Sequence, residues 1–173
     1  MDHSDKFTCE VRKMIVRSIY MISIILSIIV WPISAIAMEK EPDNFRGIRW
    51  GTDIGSLPDM EIVNESNIEK MCVRKNERMT IGKAVLGSIR YFFYKGKFYS
   101  VYISFEGREN FNYLKELLFA LYGKPEKSRL VHTYYWFGKK VDISFRYNDM
   151  LGIGSLLYSY LPLNDQLQEE LKE

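Results

Sequence analysis

Gly87-Ser-Ile-Arg-Tyr-Phe-Phe-Tyr-Lys-Gly96 and Lys97-Phe-Tyr-Ser-Val-Tyr-Ile-Ser-Phe105, followed by Asn110–Tyr122, read as strand, turn, strand, helix. In the second strand Tyr99, Val101, Ile103 and Phe105 alternate with Phe98, Ser100, Tyr102 and Ser104. A period of two marks a strand with one apolar face. In the first strand Ile89, Tyr91 and Phe93 share a face, with Ser88, Arg90 and Phe92 opposite. The turn must bring the two apolar faces together. A two-residue loop at Lys95-Gly96 sets Arg90 opposite Val101. A three-residue loop, Tyr94-Lys95-Gly96, pairs Tyr91 with Tyr99 and Ile89 with Val101. One residue of register moves every side chain to the other face, so the pattern predicts the longer loop.

Asn110 is placed to cap a helix, because its side chain accepts from the free amides of a first turn. Phe111, Leu114, Leu118 and Leu121 recur at helical spacing, and Leu117 widens the stripe. Gly123 suits the C-terminal cap and Pro125 prevents resumption. The predicted helix covers Tyr99, Val101 and Ile103.

The first 37 residues are of another kind. Lys6, Arg12, Lys13 and Arg17 precede the uncharged run Ile19–Trp31, Pro32 breaks it, and Ala35-Ile36-Ala37 offers a small-x-small cleavage pattern. These are the three parts of a secretory signal peptide. The alternative is an uncleaved anchor over 18–38, which matches the roughly 20 residues a bilayer needs. The basic flank exports the remainder either way. The expected location is therefore periplasmic or secreted, or membrane-anchored through this segment alone.

The remainder, 38–173, has the length of one domain with a sizeable core. It is close to neutral, which argues against nucleic acid as a partner. It holds one cysteine, Cys72, and one histidine, His132, so it cannot form an internal disulfide. A metal centre needs three or four imidazole, thiolate or carboxylate ligands at defined spacing, and no such motif occurs. No phosphate-binding, nucleophile-elbow or dinucleotide fingerprint occurs either. No cofactor is expected.

Phe45-Arg-Gly47-Ile48-Arg-Trp50-Gly51 opens the domain, and Thr52 is placed to cap a short turn before Pro58. With the aromatic hairpin and Tyr122-Gly-Lys-Pro125, this Phe-x-Gly-Ile-x-Trp-Gly motif resembles a group of small uncharacterised exported bacterial proteins. The resemblance implies location and a fold. It carries no established activity and no catalytic residue.

Short strands are predicted at Met60–Val63, Ile68–Lys75 and near Met79–Ile81. A second hairpin joins Leu130–Phe137 to Lys140–Tyr147. A two-residue loop at Gly138-Lys139 sets Trp136, Tyr134 and His132 opposite Val141, Ile143 and Phe145, facing the core. A three-residue loop turns them outward. Leu151–Leu161 is a last strand, and residues 163–173 form a short helical tail with leucine at 163, 167 and 171. The predicted class is α+β: an antiparallel sheet of about six strands with one main helix on one face.

Two functional classes follow. The first is an exported, non-catalytic module that binds an envelope protein or a small ligand on its sheet. Phe92, Phe98, Tyr102 and Tyr135 are its candidate binding residues, because they alternate away from the predicted helix face. Two segments are able to cover them, the stretch around Trp50 and the leucine tail. The second is a small thiol-dependent or hydrolytic enzyme using Cys72 and His132, where Lys70 and Arg74 would lower the thiol pKa on an exposed strand.

Overall fold

The computed structural model describes Met38 and residues 40–172. The expected signal segment, 1–37, and nearly all of the alternative anchor lie outside the described residues.

The central hairpin joins β7 (Ser88–Tyr94) to β8 (Lys97–Glu106). Its loop is the two-residue one. Lys95 and Gly96 both take positive φ, +46° and +79°. That geometry matches the right-handed twist of the flanking strands. Tyr94 pairs with Lys97 and Phe93 with Phe98, then the register shifts so that Phe92 faces Ser100 and Tyr91 faces Val101. Tyr99 is the extra residue of a β-bulge. The bulge reconciles two demands that one register cannot meet: a tight turn at the tip and apolar pairing in the body. It also overturns the expected faces at the tip. Phe98 joins Phe93 in the main core, fully buried. Tyr99 leaves that core for a smaller cluster with Tyr94 and Leu167 on the other side.

The remaining strands are β1 (Asn44–Phe45), β2 (Ile48–Arg49), β3 (Met60–Glu65), β4 (Glu69–Arg74), β5 (Thr80–Ile81), β6 (Ala84–Val85), β9 (Glu126–Lys127), β10 (Thr133–Trp136), β11 (Val141–Asn148) and β12 (Ile153–Tyr160). The main sheet has eight strands in the order β3-β4-β7-β8-β12-β11-β10-β9, and its pairings are antiparallel. β1–β2 and β5–β6 are separate two-stranded ribbons. Among the described residues two α-helices complete the fold, α1 (Arg108–Tyr122) and α2 (Leu161–Glu170). The class is α+β, mostly antiparallel sheet, and the predicted helical tail is the second helix, which starts two residues earlier than expected. Pro162 sits in the first turn of that helix, so it begins at Leu161.

One face of the sheet carries the main core. Phe111, Leu114 and Leu118 of α1 are buried against it, whereas Leu121 is half exposed and lies off the stripe. Phe111 stacks on Phe145 and Tyr147, and Phe119 meets Trp136 edge-on. The N-terminal ribbon covers the rest of this face. Phe45 packs on Tyr91 and Tyr158, and Trp50 stacks on Phe98 at 4.8 Å. Gly107, not Asn110, stands at the N-cap of α1; Asn110 instead accepts from the Val85 N–H and donates to the Glu106 carbonyl. Asp53, not Thr52, caps the single 3-10 turn at Ile54–Ser56.

In the second hairpin Trp136 pairs with Ile143 and Tyr134 with Phe145. The register differs by two residues from the predicted one, so the face is unchanged. Trp136, Tyr134, Ile143 and Phe145 are all buried in the core. Gly154 is required where β12 crosses this core. A Cβ there would meet the Phe105 ring at 2.1 Å and the Arg146 carbonyl at 2.8 Å.

Candidate functional site

Among the described residues the opposite face of the sheet is covered at one end only. There α2 sets Leu167 on Tyr94 and Tyr99, with Leu163, Ile68 and Phe92 packed around them. Tyr94 donates to Glu170, which also pairs with Lys95, so the helix is held by charge as well as by leucine. Beyond α2 the face lies open.

At the far end a groove of about 650 Å³ runs between the loop before β10 and the β11–β12 turn. Its rim is apolar. Met150 is 96% exposed, Val131 75%, Leu130 67% and Ile153 47%, and all four line it. Leu151 extends the same turn and is also exposed. Asn148 shapes that turn, its side chain accepting from the Met150 and Leu151 N–H groups. Hairpin turns ordinarily carry polar and small residues. Two large apolar side chains held out at a tip are therefore a positive feature of this surface.

The groove is braced from below. Arg108 at the start of α1 pairs with Asp149, and His132 Nε2 lies 3.1 Å from the other Asp149 oxygen. His132 itself has a φ of +52° and its carbonyl accepts from Tyr147 N–H. Its ring stands edge-on to Phe111 at 5.1 Å. Three segments are thus tied together beneath the rim: α1, the 128–133 loop and the β11–β12 turn. Arg146 rises from the groove floor. Its guanidinium lies over the Tyr135 ring and donates to the Tyr135 hydroxyl at 3.2 Å. Among the described residues Arg146 has no acidic partner.

The four candidate binding residues separate. Tyr102 lines the groove. Tyr135 borders it through Arg146 and stacks on Phe137. Phe92 belongs to the cluster under α2. Phe98 is core, because the bulge turns it toward Trp50. Both of the covers anticipated for these rings are present, one on each face.

The structure does not bring Cys72 and His132 together. Cys72 lies in β4, and β7, β8, β12 and β11 stand between it and β10. At roughly 4.8 Å per strand step that is a separation of about 24 Å. Cys72 is also fully buried, and burial pushes its thiol above the ordinary value despite Lys70. No cluster of three potential metal ligands occurs among the described residues. Among them, too, no helix is long and apolar enough to cross a membrane.

Comparison with known proteins leaves the geometry to speak for itself: no family model matches the chain, and neither the curated proteins nor the solved structures provide a match.

Proposed function

We propose that this chain is an exported, non-catalytic interaction module that binds a protein partner through the groove between the 128–133 loop and the β11–β12 turn. One observation carries the reading: the exposed side chains of Leu130, Val131, Met150 and Ile153 converge on a single groove. Exposed apolar clusters of this kind mark interaction sites on monomeric surfaces. The bracing by Arg108, His132 and Asp149 supports it, since a preorganised surface loses less entropy on binding. Export rests on the three-part signal in residues 1–37. The start of the domain is compatible with cleavage after Ala37: the Met38 N–H donates to the Phe137 carbonyl and its side chain is buried.

A photo-reactive amino acid at position 150 tests the reading, with one at Glu116, exposed on α1, as the control. Position 150 is expected to give a discrete adduct in the envelope fraction that Val131→Ser removes and that re-forms with the purified partner. Equal labelling from both positions would refute the groove as the interaction site.

A further inference from the structure

We infer that the partner segment taken by this groove is an extended acidic stretch with apolar side chains beside its carboxylates. The inference rests on the groove being the recognition surface, and it comes from the charge pattern of the open face. Residues paired across a sheet point to the same side. One cross-strand row on this face is Ser88, Ser104, Ser155, Arg146 and Thr133. The next is Arg90, Tyr102, Leu157, Ser144 and Tyr135. Over these five strands arginine is the only charged residue type in the two rows; Glu126 on β9 closes the second. Apart from Leu157 the floor is otherwise hydroxyl, with Tyr102 between the arginines and Tyr135 under Arg146. Short hydroxyl side chains keep this floor low, so an extended chain is able to lie close to the backbone.

Among the described residues no acidic side chain pairs with Arg90 or Arg146. Asp149 is already paired with Arg108 and His132. Glu126 stands at the far end of the second row on β9, Glu106 lies at the sheet end, and Asp142 lies one strand-turn away toward α2. None of these three forms an ion pair among the described residues. Arg129, exposed on the groove loop, adds to the same sign. A carboxylate on the partner meets a planar, two-pronged donor at Arg146, held in place by Tyr135 and by Ser144, whose hydroxyl accepts from Arg146 Nε at 3.2 Å. The apolar rim takes the neighbouring side chains. A basic segment would gain the same apolar contacts and meet the guanidinium of Arg146, which has no acidic partner among the described residues, so the surface also discriminates.

The test uses the chain purified from the envelope fraction as the cell processes it. Three fluorescein-labelled octapeptides serve as probes: alternating Leu/Asp, alternating Leu/Asn and alternating Leu/Lys. Anisotropy titrations at low and high salt give their affinities. The Leu/Asp peptide is expected to bind tightest, with a salt dependence the Leu/Asn peptide lacks. Arg146→Gln should weaken Leu/Asp about tenfold and leave Leu/Asn unchanged. The Val131→Ser, Met150→Ser double variant should weaken both. Unfolding midpoints confirm that the variants are folded. If Arg146→Gln has no effect, or Leu/Lys binds as well as Leu/Asp, the acidic partner is refuted while the groove stands. If the double variant has no effect, the groove itself is refuted. Should no peptide bind while dextran sulfate binds in an Arg146-dependent way, the anion recognised is a polysaccharide and the inference is wrong.

Discussion

Phe98→Ala and Tyr102→Ala, made separately, test the bulge on which both faces of the sheet depend. The two residues share a parity along β8, so a regular strand would place them on the same side and make their costs similar. With Tyr99 bulged, Phe98 is fully buried among Trp50, Tyr91 and Phe93, at centroid distances of 4.8, 5.9 and 5.5 Å. Tyr102 is only partly buried and lines the open groove. Truncating a fully buried phenylalanine costs about 3–5 kcal/mol. The three ring contacts put Phe98 in the upper part of that range, since each aromatic pair adds about 0.5–1.5 kcal/mol beyond area. Truncating Tyr102 removes no buried ring contact, and a cost below about 1 kcal/mol is expected. In urea, with a slope of about 2 kcal/mol per molar, Phe98→Ala lowers the midpoint by about 2 M and Tyr102→Ala by less than about 0.5 M. Chemical denaturation followed by tryptophan fluorescence reads the difference directly, because Trp50 stacks on Phe98. Equal shifts, or a larger one for Tyr102, would refute the bulge and with it the assignment of the two faces.

Gly154→Ala should destabilise by at least about 1–3 kcal/mol, because its Cβ meets the Phe105 ring and a backbone carbonyl; a change under about 0.5 kcal/mol in the same titration would show that β12 moves freely. Asp142→Asn should stabilise at neutral pH. Burial holds the Asp142 carboxyl above the ordinary carboxylate range, so its protonated form fits the fold better and stability is lost as pH rises through that raised value. Asn keeps an acceptor for the Gly138 N–H, so the gain in Tm should be present near pH 7 and vanish at about pH 3, below the unfolded Asp value; a gain independent of pH would contradict the cause given. Cys72 should resist alkylation by iodoacetamide until the chain unfolds, as its burial and raised pKa require; stoichiometric labelling of native protein would count against this placement. Intact-mass analysis of envelope protein should find a mature N-terminus at Met38, and recovery of the uncleaved chain in the membrane fraction would favour the anchor.

The two hairpins show what hydrophobic alternation can and cannot determine. In the β10–β11 hairpin the register lies two residues from the expected one, yet Tyr134 and Trp136 still face Phe145 and Ile143. A two-residue slip preserves every face, so the pattern identifies the core without identifying the pairing. In the β7–β8 hairpin the expected register is right in neither half. Alternation assumes one continuous ladder, and Lys95-Gly96 demands a different ladder from Tyr91 and Val101. The bulge at Tyr99 resolves the conflict, and its cue was present: Phe98 and Tyr99 are successive aromatics, each with a core to join. Helix ends were legible where a residue type has one use, as at Gly123. They were misread where several polar residues compete, as at Asn110 and Thr52.

The candidate site was hidden for a related reason. Aromatic excess on alternating strands drew the reading to Phe92, Phe98, Tyr102 and Tyr135. Tertiary packing then took Phe98 for the main core and Phe92 for the cluster under α2. The most exposed of the large apolar side chains are aliphatic and lie in turns and loops: Met150, Val131, Leu130 and Leu151. The sequence does carry a signal there. Asn148-Asp-Met-Leu-Gly152 is a tight turn by its Asn and Gly, and a turn has no interior in which to bury Met150 and Leu151. Apolar residues in strands are explained by the core they build. Apolar residues at a turn whose geometry is already set by polar neighbours lack that explanation, which is why the proposed interaction surface is placed there.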